Sequence, residues 1–338
     1  RMRKKRIVVV CPGRGSYSRE TSNYLENVDS NLKAIIEEQD KIRSAKKLKS
    51  VFKLDKTIFR AKTHMTGENA SPLIYSCSLK DYYSINKEEY EVAAICGNSM
   101  GWYIAMALSG ALTSESGFEL IQTMGVFTQN HGEGGQIIYP IIDEDWRMNI
   151  DRKNMLLDEV AQIGAHLSIN LGGFIVIGGE QSALDHLLKI LPAIDKYPFQ
   201  IPFHAAFHTH HLEKSSTLAQ SHFDYKIFNK PRIPVIDGRG NIWSPWSTDI
   251  RELYNYTFGH QIVQSYDFSS SIEVAVKEFC PDHIVLLGPG NALGSPVAQV
   301  LIDHKWNGLT SKSDFLKSQE KDPFVISMGI DEQRNIVL

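Results

Sequence analysis

The pentapeptide Gly97-Asn98-Ser99-Met100-Gly101 constrains this chain more than any other stretch, because it sits between an apolar run, Val92 to Cys96, and a small-residue run, Tyr103 to Leu108. That arrangement predicts a buried strand, a sharp turn and a helix packed back on the strand. The turn forces the serine into a strained backbone conformation, and glycines two residues before and after it remove side chains that would clash. Ser99 is thereby exposed at the tip as a candidate nucleophile. The amide of Met100, first in the helix, points at whatever bonds to Ser99 and can stabilise negative charge there, helped by the helix dipole. The motif fixes only three positions in a chain with 24 glycines, so its strand-turn-helix setting carries the inference.

Before the elbow, Ile7 to Cys11 is a continuous β-branched run of the kind found in the centre of a parallel sheet. It ends in Pro12-Gly13-Arg14-Gly15-Ser16, whose spacing fits neither phosphate-binding glycine motif. A tight loop offering backbone N–H groups to a neighbouring site is the better reading. Tyr24 to Leu54 predicts one or two surface helices, and Asn69 to Ile74 the start of another, with Pro72 in its first turn. Thr113-Ser114-Glu115 opens a helix that runs to Gln129.

Past the glycine-rich turn at His131 to Gly135 the pattern changes. Strands are expected at Gln136 to Ile142, at Phe174 to Ile177 and near Gln200, with helices at Asn154 to Ile163 and Ser182 to Leu191. This order predicts a small α+β unit inserted in a larger one. Further strands at Ile233 to Ile236 and His283 to Leu287, with helices at Phe268 to Phe279 and Ala292 to Asp303, return the chain to the larger unit. The tail from Ser311 suggests no role.

Composition excludes some classes. A net charge of −3 gives no footprint for nucleic acid. No apolar run approaches the roughly 18 residues needed to cross a bilayer, so no membrane partner is expected and the cytoplasm is the default location. The four cysteines have no C-x-x-C spacing. Four histidines fall between His204 and His211, but without a ligand signature, and adjacent His210 and His211 would diverge by about 100° on a helix. No metal is expected; one of the four as a base suffices.

Four segments, in order, resemble the malonyl-CoA:acyl carrier protein transacylases and the related acyltransferase domains of polyketide and fatty acid synthases. Pro12-Gly13-Arg14-Gly15-Ser16-Tyr17 stands for their P-G-Q-G-S-Q, and Gly97-Asn98-Ser99-Met100-Gly101-Trp102 for their G-H-S-L-G-E. Ala205-Ala206-Phe207-His208-Thr209 stands for their G-A-F-H-S segment, and Gly288-Pro289-Gly290 for their closing G-P-G. The resemblance spans Ile7 to Leu301. It implies an α/β-hydrolase-like large domain with a parallel sheet, residues 1–132 and 204–338, and an inserted ferredoxin-like subdomain, residues 133–203. It also implies ping-pong acyl transfer through an acyl-serine, with acyl-CoA as substrate, a phosphopantetheinylated acyl carrier protein as partner and no permanently bound cofactor.

Carried over by position, Ser99 would be the nucleophile, His208 its base, and the amides of Arg14 and Met100 the oxyanion donors. A backbone carbonyl orients the family's histidine, and the matching position is expected at Asp267. Malonyl-selective members carry a carboxylate-binding arginine in an M-R-G-x-F-x-Q pattern, where this chain reads Thr123-Met124-Gly125-Val126-Phe127-Thr128-Gln129. A thioether cannot pair with a carboxylate, so Met124 argues against malonyl selectivity. Asn98, Trp102, Met124 and Phe207 are the expected acyl-pocket residues, more apolar than the family's, while Arg14 leaves room for a relocated carboxylate partner. Three activities follow: an acyltransferase in fatty acid or polyketide biosynthesis, an editing hydrolase of acyl carrier proteins on the same scaffold, or an inactive docking module, which the presence of both Ser99 and His208 disfavours.

Overall fold

The computed structural model describes residues 2–338. Its larger sheet has the order β11-β10-β1-β2-β7-β8. In chain order these strands are β1 (Lys5–Cys11), β2 (Tyr90–Gly97), β7 (Val235–Ile236), β8 (Ile242–Trp243), β10 (His283–Leu286) and β11 (Val325–Ser327). Every pairing is parallel except β7 with β8. Ile7 to Cys11 are fully buried, because a central parallel strand is covered on both faces; hence its unbroken apolar run.

The helix expected from Asn69 begins earlier, at Gly67, and runs to Ser84, which places Pro72 inside it. Proline cannot donate to the carbonyl four residues back. That carbonyl, of Glu68, instead accepts from the Arg43 guanidinium at 2.7 Å and the Gln122 side-chain amide at 2.9 Å. The freed acceptor is thus satisfied by two buried side chains, and the helix continues. The charged stretch from Tyr24 forms two helices, Ser30–Ala45 and Val51–Lys56.

The second sheet has the order β6-β3-β5-β4-β9, with β3 (Gly135–Pro140), β4 (His166–Leu171), β5 (Phe174–Gly179), β6 (Phe199–Gln200) and β9 (Tyr266–Asp267). With helices Ile150–Gln162 and Gln181–Ile190 it follows a β-α-β-β-α-β path, the ferredoxin-like motif. The strand that sequence reading missed is β4. Its alternation of Leu167, Ile169 and Leu171, closed by Gly172-Gly173 with Gly172 at φ +60, is a hairpin signal. Ile137, Leu156, Ile177, Leu184 and Leu187 form an apolar cluster of their own beneath this sheet. Strand β9 comes from outside the motif and pairs in parallel with β4, Ile169 opposite Tyr266.

The tail has a structural place. Strand β11 extends the large sheet beyond β10, and the helix Asp331–Val337 brings Arg334 onto buried Asp81. Asp81 also accepts from the Tyr24 hydroxyl at 2.6 Å and the Gly288 amide at 2.7 Å, so one carboxylate ties the tail to the closing G-P-G turn.

Candidate active site

Strand β2 runs into the elbow and the helix Gly101–Ser109 leaves it. Ser99 has φ +56, a region costly for a residue with a side chain. A Cβ at Gly97 would lie 2.3 Å from the Gly101 carbonyl oxygen, and one at Gly101 would lie 2.3 Å from the Cys11 carbonyl oxygen at the end of β1. Both contacts are far inside van der Waals distance, so the two glycines are a steric requirement of this turn. The Tyr266 hydroxyl donates to the Gly97 carbonyl at 2.6 Å and braces the elbow from β9. The amides of Arg14, after β1, and Met100, at the start of the elbow helix, donate to no protein acceptor among the described residues. They are available to an oxyanion.

His208 also has a positive φ, +58. Its Nε2 is 2.7 Å from the Ser99 Oγ, and its Nδ1 is 2.7 Å from the backbone carbonyl oxygen of Gln261. A carbonyl only accepts, so Nδ1 carries the hydrogen and Nε2 presents its lone pair to the serine. Burial lowers the His208 pKa from 6.5 to about 4, outweighing the bond to Gln261, which raises it. The ring is therefore neutral at physiological pH and able to take a proton.

The orienting carbonyl belongs to Gln261, which corrects the expectation of Asp267. Asp267 instead caps the helix Phe268–Phe279, accepting from the Ser270 amide at 3.0 Å and its hydroxyl at 2.6 Å, and also holds Asn170. Sequence reading missed Gln261 because a main-chain carbonyl leaves no signature in residue identity. Its side chain is held too: Nε2 donates to the Ser99 carbonyl at 3.1 Å, and Oε1 accepts from the Tyr103 hydroxyl at 3.2 Å.

Ser99 and His208 open on a cavity of about 370 Å³ between the two sheets. Ile121, Met124, Ile138, Leu171, Val176 and Leu293 give it a largely apolar wall, and Asn98 and Phe207 also line it. Trp102 does not belong to this wall, contrary to expectation. The elbow helix turns it into the core, where it is fully buried, donates to the Thr257 hydroxyl at 3.1 Å and packs edge-on against Tyr256.

The polar part of the cavity lies around Arg14. Its guanidinium donates to the carbonyls of Met65 at 2.8 Å and Phe203 at 3.2 Å and sits 5.2 Å from the Phe207 ring centroid, while Nε is buried without a partner. Burial lowers its pKa to about 10, which leaves it charged at neutral pH. His204 also lines the cavity; its Nδ1 pairs with the Gln136 side chain at 2.9 Å, and its Nε2 is equally buried without a partner.

The remaining histidines do not diverge as the helical geometry suggested. Thr209 caps a 3₁₀ turn, His210–Leu212, in which the His210 and His211 rings lie 4.3 Å apart between centroids, with His166 of β4 beside them.

Fold and elbow together place the chain among α/β-hydrolase-like acyltransferase folds. Its structure is similar to the malonyl-CoA:acyl carrier protein transacylase of Xanthomonas oryzae, with TM-score 0.76, 15% identity, and 100% of this chain and 98% of that one covered. It is also similar to the acyl-carrier-protein S-malonyltransferase of Burkholderia pseudomallei, with TM-score 0.75, 15% identity and 98% of both chains covered. A third similar structure, with TM-score 0.74, 15% identity, and 98% of this chain and 99% of that one covered, is a malonyl-transacylase in complex with a type II polyketide acyl carrier protein.

No family model matches the chain. In sequence it is 26% identical over 148 residues, 42% of each chain, to the polyketide biosynthesis acyltransferase homolog PksD of Bacillus subtilis. It is 25% identical over 228 residues, 62% of this chain and 9% of the relative, to the compactin diketide synthase of Penicillium citrinum. These matches cover less than half the length of the curated relatives. The resemblance read from the four motifs is upheld: the chain has the transacylase fold and shares sequence with a polyketide biosynthesis acyltransferase homolog and with a diketide synthase. Among the described residues no helix is long and apolar enough to cross a membrane.

Proposed function

We propose that this chain transfers an acyl group from coenzyme A to the phosphopantetheine thiol of an acyl carrier protein through an acyl-Ser99 intermediate. The observation that carries this reading is the relay from the Ser99 Oγ to His208 Nε2 and from His208 Nδ1 to the Gln261 carbonyl, 2.7 Å at each step. His208 takes the Ser99 proton as Oγ bonds to the thioester carbonyl. The amides of Met100 and Arg14 hold the resulting oxyanion. Collapse breaks the carbon–sulfur bond, and the departing coenzyme A thiolate takes the proton from His208. In the second half the carrier's thiol gives its proton to His208 and attacks the acyl carbonyl, the carbon–oxygen bond to Ser99 breaks, and Oγ takes the proton back from His208. In this reading residues 1–132 and 204–338 form the catalytic body, and residues 133–203 supply the opposite wall of the cavity. No step draws on a metal or a resident cofactor.

Met124 is buried in the cavity wall, which suits an acyl group without a free carboxylate. Incubation with a panel of acyl-CoAs, followed by intact and peptide mass spectrometry, should show an adduct on Ser99 that is absent in Ser99→Ala. Addition of acyl carrier protein should move the adduct to the carrier; release of free acid alone would replace transfer by hydrolysis. Acetyl-CoA or a longer unsubstituted acyl-CoA should serve at least as well as malonyl-CoA, and Met124→Arg should shift preference toward malonyl. A strong wild-type preference for malonyl that disappears in Arg14→Gln would assign the carboxylate to Arg14 instead.

A further inference from the structure

A second cluster of metal-ligating side chains lies on the far side of the histidine-bearing segment. His166 opens strand β4, while His210 and His211 form the 3₁₀ turn that follows His208. One ring nitrogen from each can be chosen so that all three lie within 4.8 Å of one another. Ring centroids are 4.8 Å apart for His166 and His210, 5.9 Å for His166 and His211, and 4.3 Å for His210 and His211. Among the described residues none of the three rings has a side-chain or backbone hydrogen bond within normal distance; the carboxylate within 4.0 Å is that of Glu133, 3.8 Å from His211 Nδ1. They sit in a shallow depression also lined by Glu180 and Ser182, open to solvent at His210. Three imidazoles converging from segments 44 residues apart, with no partner to explain their proximity, form a donor set suited to a metal of borderline softness.

We propose that His166, His210 and His211 bind a divalent transition-metal ion of the zinc, cobalt or nickel type, with Glu133 or water as fourth ligand. Tetrahedral coordination with metal–nitrogen distances of about 2.0–2.1 Å puts ligand nitrogens about 3.4 Å apart. The present spacing, within 4.8 Å, exceeds that value by about 1.4 Å at most, and His166 and His210 are not fully buried, which leaves their rings room to rotate. Imidazole donors select zinc, cobalt, nickel or copper over magnesium or calcium, which take oxygen ligands. The ion would not touch the reacting atoms. It would pin the turn after His208 to β4, next to the bond that Ser168 of the same strand already makes to the Phe207 carbonyl at 2.6 Å.

The test uses the untagged protein stripped with a chelator and dialysed. Cobalt(II) is titrated while its d–d absorption is recorded, and zinc(II) is titrated by calorimetry. The expected result is one ion per chain with tetrahedral-type cobalt bands. His166→Ala and His210→Ala should each weaken binding by at least about tenfold, a loss that even an outer partner of a metal site can cause. Ser99→Ala should bind like wild type, and saturating zinc should raise the melting temperature of wild type but not of His166→Ala. If His166→Ala proves poorly folded by circular dichroism, His166→Gln provides the same comparison. Absence of saturable binding, equal binding by wild type and both His166 variants, or loss of binding in Ser99→Ala would overturn the proposal.

Discussion

At the residue scale, the candidate site rests on one proton's position. The Gln261 carbonyl obliges His208 to keep its hydrogen on Nδ1, and burial keeps the ring neutral by lowering its pKa to about 4. Two consequences follow for His208, both measured with chelator present so that no metal near His210 intrudes. His208→Ala should slow acylation of Ser99 by about a hundredfold or more, the usual scale for loss of a general base, whereas His204→Ala should cost far less. The pH profile of acylation should stay flat through 6.5 and fall only as the pH approaches about 4, because protonation removes the lone pair that accepts the serine proton. Stability follows the same sign. An unfolded histidine binds its proton near 6.5 and the folded one only near about 4, so this residue's contribution is complete above 6.5 and erodes as the pH falls across that window. An activity midpoint between 6 and 7 would show that His208 is not sheltered.

At the scale of elements, the elbow binds three pieces of backbone so closely that no side chain fits between them. A methyl at Gly101 would press on the Cys11 carbonyl, and β1 cannot retreat without disturbing its pairing with β2 and β10. Gly101→Ala should destabilise the protein by about 1–3 kcal/mol, the scale of overpacking, and should lower acylation by shifting the Arg14 amide at the end of β1. Wild-type melting and wild-type acylation would mean that the elbow relaxes freely. This element was legible because sterics select residue types: two glycines and a serine at fixed spacing, then an apolar helix. The central strands and the helix Phe268–Phe279 were legible for a similar reason, their apolar patterns. What stayed hidden depended on backbone or tertiary context. Gln261 acts through its carbonyl, Trp102 is turned away from the cavity by the helix that carries it, and the helix around Pro72 survives because residues distant in sequence satisfy Glu68. His210 and His211 were misjudged because the divergence of neighbouring Cα–Cβ bonds does not fix where the rings lie: in the turn capped by Thr209 the side-chain torsions bring the two rings to 4.3 Å between centroids.

At the scale of the whole molecule, Asp81 holds distant parts together, with partners on the segment at Tyr24, the turn at Gly288 and the helix carrying Arg334. Removing one partner of a buried charged group leaves the others unsatisfied, so Asp81→Ala should cost about 3–5 kcal/mol in urea denaturation. A loss below about 1 kcal/mol would show that the tail is held by its strand pairing alone. The arrangement of the two sheets also sets an order of assembly. Strands β3 to β6 lie within one continuous stretch, whereas β1, at the centre of the large sheet, pairs with β10 from the opposite part of the chain; the Arg6 amide bonds to Asp282 across 276 residues. Closing a loop of that length is entropically costly and slow, so local pairings form first. In pulse-labelled hydrogen exchange during refolding, amides of β3 and β5 should gain protection before those of β1 and β10, and the reverse order would refute this. The scaffold that aims Ser99 is then among the last parts to form, and a nascent chain would carry the nucleophile long before it could use it.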